Sequence, residues 1–201
     1  MNIASFQPCS LNEYPGKISA IVFTQGCNFK CYFCHNPELQ CFSLGYLKEV
    51  ISSNVALEKI KKLGKKINGV VITGGEPLVQ GDLVFFVEEI NKLGLPVKLN
   101  TNGSVFNVLK RLVSKRLVDY INMDIKAPLK KYPKVTGVNI ASFESYKYWN
   151  PEEIQKSIGL IKDSGIDYMF SIVKHSSISK NDVHAMIKWL GSKNVEVRTK
   201  I

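Results

Sequence analysis

Ile18-Ser19-Ala20-Ile21-Val22-Phe23-Thr24-Gln25-Gly26-Cys27-Asn28-Phe29-Lys30-Cys31-Tyr32-Phe33-Cys34-His35-Asn36-Pro37 joins a nearly continuous apolar run to three closely spaced cysteines. The run Ile18–Thr24 has the pattern of a strand buried on both faces. Similar runs recur at Gly69–Thr73, Val97–Thr101, Tyr120–Ile125, Tyr168–Val173 and Val195–Thr199. Between them lie segments of helical period near Asn54–Leu63, Leu83–Leu93, Val105–Ser114, Pro151–Asp163 and Asn181–Leu190. Two helix starts are well punctuated. Asn150 precedes Pro151, Glu152 and Glu153, with Gly165 just past the far end, and Ser179 stands three residues before Asp182. This alternation predicts βα units around a parallel sheet. Six strands and five helices suit an incomplete (β/α) barrel or a doubly wound open sheet, which periodicity alone does not separate.

In either architecture, function collects at the C-terminal ends of the strands. The unusual residues fall there. The cysteines follow the first strand, Thr73-Gly74-Gly75-Glu76-Pro77 the second and Asn100-Thr101-Asn102-Gly103 the third, while Asp124 and Lys126 close the fourth. Four motifs on one rim suggest one site.

Length and composition set limits. A chain of 201 residues suits one domain over 1–201, with a cluster loop at 25–39 and the chain stopping just after the sixth strand. The stretch Lys126–Trp149, with Pro128, Pro133 and Gly137, reads as a long ordered loop near the rim. No apolar run approaches the roughly 18 residues that span a bilayer. The first residues lack the basic and apolar regions of a secretory signal, so a cytoplasmic protein with no membrane partner is expected. The formal charge of +10 raises the question of nucleic acid. Only Arg111, Arg116 and Arg198 are arginines, and lysines such as Lys59, Lys61, Lys62, Lys65 and Lys66 are spread along helices. Bidentate recognition of phosphate and guanine favours arginine, so no nucleic-acid partner is expected. An acidic protein is the partner such a surface would attract.

The cysteines narrow the chemistry. There are five, and three fall within eight positions, too tight for a disulfide framework. C-x3-C-x2-C instead reads as a metal or iron–sulfur site. Structural zinc wants four closed ligands, and Cys27, Cys31, Cys34 and His35 make a cramped set for one tetrahedral ion. An ordinary ferredoxin cluster wants four cysteines in its own spacing. Cys41 lies seven residues on, beyond the Asn36-Pro37 turn. Three thiolates on a 4Fe–4S cube leave one iron open to a chelating substrate, and the amine and carboxylate of S-adenosylmethionine form such a chelate. Tyr32 and Phe33, between two ligands, are placed to cover its adenine. Cys9 and Cys41 read as packed or surface thiols, His35 as a hydrogen-bonding neighbour of the loop, and His175 and His184 as surface or helix residues.

The C-x3-C-x-aromatic-C motif after a first strand, with Gly74-Gly75-Glu76-Pro77 downstream, resembles the radical S-adenosylmethionine superfamily. Tyr14-Pro15-Gly16-Lys17, the run from Phe23 to Leu39 and Asp124-Ile125-Lys126 resemble glycyl-radical-enzyme activating proteins, most closely the activating protein of anaerobic ribonucleoside-triphosphate reductase. The resemblance implies an α/β fold that is an open, partial (β/α)6 TIM-like barrel with parallel strands. It implies one 4Fe–4S cluster on Cys27, Cys31 and Cys34, and S-adenosylmethionine held by Tyr32, Phe33, Gly74, Gly75, Glu76, Asn100, Thr101, Asn102, Asp124 and Lys126. Within that set, Gly74, Gly75 and Glu76 would receive the amino group. Asn100 to Gly103 would approach the ribose or methionine end, and Asp124 and Lys126 the carboxylate or the incoming glycine loop. The implied reaction is reductive cleavage to a 5′-deoxyadenosyl radical, which takes hydrogen from a glycine of the partner enzyme. A flavodoxin- or ferredoxin-type protein would supply the electron. Some activases carry an acidic residue where this chain has Asn100, and Phe170-Ser171-Ile172-Val173-Lys174 departs from the Arg-Thr-rich strand expected there. A small-molecule enzyme of the 7-carboxy-7-deazaguanine synthase type and a zinc-stabilised basic binding module are the alternatives.

Overall fold

A computed structural model describes residues 1–42, 50–138 and 150–199. Its one sheet contains β1 (Ile3–Ser10), β2 (Ser19–Thr24), β3 (Gly69–Gly74), β4 (Val97–Thr101), β5 (Tyr120–Ile125), β6 (Asp167–Lys174) and β7 (Val195–Thr199), in sequential order. β2 to β7 are parallel to their neighbours, and β1 is antiparallel to β2. The helices are α1 (Ser53–Leu63), α2 (Leu83–Lys92), α3 (Phe106–Ser114), α4 (Tyr132–Thr136), α5 (Pro151–Asp163) and α6 (Lys180–Leu190). The result is the open α/β sheet that the sequence pattern predicts. Among the described residues, no helix is long and apolar enough to cross a membrane.

Local chemistry explains the boundaries. Asn150 Oδ1 accepts from Glu152 N at 2.9 Å at the start of α5, with Pro151 in the first turn. Ser179 and Asp182 bond reciprocally at the start of α6. β1 was not expected. Its sequence, Ile-Ala-Ser-Phe-Gln-Pro-Cys-Ser, is mostly exposed and interrupted by Pro8, so it carries the weak pattern of an edge strand. Cys9 lies exposed on it. The expected loop at 126–149 is also corrected in part. Leu129–Lys131 forms a 3-10 turn and α4 follows, anchored by the fully buried Tyr132. Residues 139–149 lie outside the described residues.

The two faces of the sheet differ. Outside, helix residues such as Leu57, Ile60, Phe86, Ile90, Leu109, Ile161 and Met186 pack on strand residues such as Val70, Ile72, Leu99 and Ile121. Inside, Tyr14, Ile21 and Val71, flanked by Phe23 and Tyr120, form a small apolar floor. Tyr14-Pro15-Gly16-Lys17 thus contributes a plug: the Tyr14 ring meets Tyr120 edge-on at 6.1 Å. Lys98 joins this floor, donating to Glu13 O and standing 5.2 Å from the Tyr120 ring. Period-two alternation then raises Thr73, Asn100, Asn122 and Asp124 on the same face toward the C-terminal strand ends. A polar cleft opens above an apolar plug.

Candidate active site

The cleft measures about 210 Å³ and is lined by all three motif cysteines, together with Phe33, Gly74, Gly75, Glu76, Asn100, Thr101, Asn102, Asp124 and Lys126. Thr73, Asn122 and Arg198 also line it. Four segments distant in sequence therefore reach one place.

The cysteine loop is fixed mainly by backbone pairing. Gly26 N donates to Leu39 O at 2.9 Å and Cys27 N to Gln40 O at 3.3 Å. Gly75 N donates to Thr24 O at 2.9 Å and Glu76 N to Gly26 O at 2.8 Å, so the β3 turn is joined directly to the loop. Both glycines are required by contact. A Cβ on Gly74, whose φ is +115°, would lie 2.3 Å from Thr24 N, and one on Gly75 would lie 2.1 Å from Gly26 O. Lys30 N reaches Thr136 O at 2.7 Å, which ties the loop to α4 as well.

Glu76 takes a place that its motif does not reveal. It is fully buried, and Oε1 accepts from Leu78 N at 3.0 Å and Thr101 Oγ1 at 2.5 Å, while Oε2 accepts from Asn102 N at 2.6 Å. Burial pushes its pKa up to about 7 against the pull of these bonds. Asn102 extends the brace: Nδ2 donates to Asn28 Oδ1 at 3.0 Å, and Oδ1 accepts from Ser104 N at 2.9 Å and Ser104 Oγ at 2.5 Å. Asn28 Nδ2 donates to Ser104 Oγ at 2.7 Å, which closes the ring. Asn28 and Ser104 were not expected at the site. Nothing local joins them, since the bonds that link Asn28 to Asn102 and Ser104 span more than 70 residues of sequence.

The charges are few and mostly paired. Lys126 Nζ and Asp124 Oδ2 are 2.6 Å apart. Burial works against the Lys126 charge, but Asp124 and the nearby thiols outweigh it and hold the amine above the ordinary lysine range. Arg198 on β7 pairs with Glu196 at 2.7 Å. Burial pushes the Cys27 thiol up to about 12, with Glu76 adding to the effect, and the Cys31 thiol up to about 11. Ligation by a metal displaces such protons.

The three thiols share this cleft, yet among the described residues no group of three Cys, His, Asp or Glu side chains is gathered to hold a metal ion. A tetrahedral ion needs its ligands to converge on one point, whereas a cube offers each thiolate a separate iron. Three thiols lining one cleft fit such a cube. The Gly74-Gly75 backbone beside it packs directly on the backbone of Thr24, Gly26 and Leu39.

Tyr32 and Phe33 meet edge-on with ring centroids 5.3 Å apart but differ in exposure. Phe33 is buried and lines the cleft, whereas Tyr32 is 57 % exposed and does not. The Tyr32 hydroxyl lies 2.8 Å from His175 Nδ1 and donates to Ser177 Oγ at 2.8 Å. His175, expected as a surface or helix residue, is buried in the loop after β6 and stacks on Phe33 with centroids 3.9 Å apart and planes 11° apart. Its Nε2 stands 3.2 Å from Lys126 O. His35 is exposed at the cleft edge. The loop after β6 is thus fastened to the cysteine loop by the His175 imidazole and by the bonds of the Tyr32 hydroxyl to Ser177.

This arrangement has known counterparts. A Methanocaldococcus jannaschii protein, MJ1227, provisionally named a glycyl-radical enzyme activating enzyme, is 35% identical over 122 residues, covering 60% of this chain and 48% of its own. A Thermococcus kodakarensis protein provisionally named a GTP 3′,8-cyclase is 26% identical over 147 residues, covering 69% and 46%. The chain spans about half the length of these relatives. Among solved structures, native anSMEcpe with bound AdoMet superposes with a TM-score of 0.63 at 19% identity, covering 88% of this chain and 49% of that one. Streptococcus suis SuiB bound to S-adenosylmethionine gives 0.63 at 14%, covering 88% and 39%. These two likenesses concern the fold. A family model described as the Radical SAM superfamily matches residues 21–190, and with the three-cysteine loop and the strand-end cleft on the page, the chain belongs to that superfamily.

Proposed function

We propose that the chain is an activating enzyme that installs a glycyl radical on a partner enzyme, with anaerobic ribonucleoside-triphosphate reductase the first partner to test. The observation that carries this reading is the neutrality of the cleft. Its wall combines thiols, aromatic rings, carboxamides, hydroxyls and glycine backbone, and its lysine and arginine are already engaged: Lys126 with Asp124 and Arg198 with Glu196. A nucleoside triphosphate or an acidic pterin would favour several uncommitted cations. A glycine loop of a protein needs none. The similarity to MJ1227 supports the same reading.

Cys27, Cys31 and Cys34 would hold a 4Fe–4S cluster, and S-adenosylmethionine would complete it. Bound together and given one electron by a donor, these groups would supply the radical chemistry that takes one hydrogen atom from a glycine Cα, with methionine and 5′-deoxyadenosine as products and a glycyl radical left on the partner. The protein orients and encloses. Phe33 would lie against the nucleoside, with Tyr32 at its outer edge. The Gly74-Gly75 backbone would admit the methionyl amine, with Glu76 holding Thr101 and Asn102 in place behind it. Asp124 and Lys126 would meet the carboxylate, and the lysine-rich surface would dock an acidic flavodoxin- or ferredoxin-type donor. The site lies within one domain over 1–201.

The test is anaerobic. The reconstituted protein, given S-adenosylmethionine, reductant and the reductase, should produce the glycyl radical doublet in electron paramagnetic resonance. Turnover of GTP or a pterin, with no doublet on any glycyl radical enzyme, would replace this reading with the small-molecule one.

A further inference from the structure

Three buried side-chain polar atoms lack a hydrogen-bond partner among the described residues: Ser19 Oγ, Gln25 Oε1 and Asn100 Oδ1. Of these, Asn100 alone belongs to a residue lining the cleft. A buried acceptor left unpaired is unfavourable, and in a binding site it marks where a ligand donor belongs. Asn100 Nδ2 is turned toward Thr73 Oγ1, 3.4 Å away, which leaves the oxygen for the ligand.

Its neighbour supplies the opposite polarity. Asn100 on β4 is the register partner of Asn122 on β5, so the two side chains stand side by side on the inner face. The Ser171 hydroxyl donates to Asn122 Oδ1 at 2.8 Å. That occupies the oxygen and leaves the Nδ2 hydrogens as what Asn122 offers to the cleft it lines. The wall therefore presents an acceptor beside a donor, both uncharged, one strand spacing apart.

We propose that Asn100 and Asn122 form a substrate subsite that grips one extended peptide residue by its backbone N–H and C=O. This rests on the reading of the chain as an activating enzyme and deepens it by naming what the cleft recognises. An extended residue shows its N–H and C=O to the same neighbour, as in an antiparallel ladder. The two carboxamides stand in for that neighbour. Glycine is the residue that brings its backbone closest to such a wall, because it has no side chain to hold it off. A carboxylate or phosphate would meet the Asn100 oxygen as a repelling lone pair.

The experiment compares Asn122→Asp, Asn100→Asp and Asn100→Ala with the parent in reconstituted enzyme, using the partner protein that gives the doublet. Asn122→Asp keeps the acceptor for Ser171 but loses the donor, so its KM for the partner should rise at least about tenfold. Asn100→Asp retains an acceptor and should raise KM much less than Asn100→Ala. S-adenosylmethionine affinity, read by equilibrium binding, should stay within about twofold in Asn122→Asp, and in the Asn100 variants, whose residue is also expected near the ribose or methionine end, it should fall less than KM rises. Iron content and melting temperature show that each variant is folded. If Asn122→Asp does not fold, Asn122→Ser, which keeps a donor, replaces it and should raise KM less than Asn122→Ala. Two results would overturn the subsite while leaving the activase reading intact: unchanged KM in Asn122→Asp and Asn100→Ala, or weakened S-adenosylmethionine binding with KM unchanged. Failure of the parent to make a glycyl radical on any partner would overturn both.

Discussion

Replacing Gly75 by alanine puts a methyl group 2.1 Å from Gly26 O, 2.6 Å from Gly26 C and 2.7 Å from Leu39 O. All three are backbone atoms, so no side chain can swing away to relieve the clash. The β3 turn and the cysteine loop must part by about an ångström to restore ordinary contact. That movement breaks or stretches Gly75 N to Thr24 O and Glu76 N to Gly26 O. Two such bonds are worth about 1–3 kcal/mol together, and forcing a methyl into a packed interior costs about another 1–3 kcal/mol. The sum, about 2–6 kcal/mol, is a large share of the 5–15 kcal/mol typical of a folded domain. At about 2–4 °C per kcal/mol for this chain length, the melting temperature should fall by roughly 4–24 °C. Gly81→Ala is the control, since a Cβ there meets nothing within 4 Å. Melting should be followed by circular dichroism on anaerobic protein, alongside the iron count after reconstitution. If Gly75→Ala melts with Gly81→Ala and binds the same iron, the claim that this turn and the cysteine loop are welded through Gly75 is wrong.

Glu76 sets a pH dependence in the metal-free protein. Its pKa is raised from 4.5 to about 7, so between these values the folded chain holds a proton that the unfolded chain has lost. Stability should therefore fall as pH rises through that window, by about 3 kcal/mol at most, and level off above it. Denaturant titrations of parent and Glu76→Gln should show the slope only in the parent, and an equal slope in both would reject the assignment. Asn102→Ala removes one partner each from Asn28 and Ser104 inside the brace, and should cost about 2–4 kcal/mol in the same titration. A loss below about 1 kcal/mol would mean that water replaces the amide. Chelating the metal should leave the sheet folded, because backbone pairing fixes the loop without it. Circular dichroism that collapses to a coil on chelation would show instead that the metal does the folding. Cys34→Ser should lower reconstituted iron by more than about half against an expected four per chain. One zinc and no iron in the parent would end the cluster reading.

The parallel strands and the five long helices were legible because each writes its own signal in consecutive residues. Asn150-Pro151 and the Ser179–Asp182 box are local chemistry, and they cap as read. β1 escaped because an exposed edge strand with a proline has little hydrophobic pattern to show. At the site, the motifs pointed to the right strand ends but did not say which atoms face one another. Glu76 reads as a ligand-facing carboxylate in its Gly-Gly-Glu-Pro context. Its oxygens are spent on Leu78, Thr101 and Asn102, two of them about 25 residues on. His175 is 143 residues from Tyr32, and no local pattern distinguishes a histidine that stacks on Phe33 from one at the surface.

The polar residues of the rim divide into two sets by what they touch, and the division bears on how the site works. Glu76, Thr101, Asn102, Asn28 and Ser104 satisfy one another in the interior, so they have little hydrogen-bonding capacity left for a ligand. Asn100 and Asn122 line the same cleft outside that network, Asn100 holding an acceptor unpaired, while Asp124 and Lys126 pair with each other. A buried network that is fully satisfied is stiff, because any movement leaves a donor or acceptor without water to replace its partner. Placing that stiffness between the cysteine loop and the ends of β3 and β4 fixes the position of Cys27 relative to the Gly74-Gly75 backbone. The uncommitted groups then face a geometry that is already set, and binding need not order it. That is the condition for directing a reactive radical to one hydrogen atom, since positional error of about an ångström is enough to misdirect such a step.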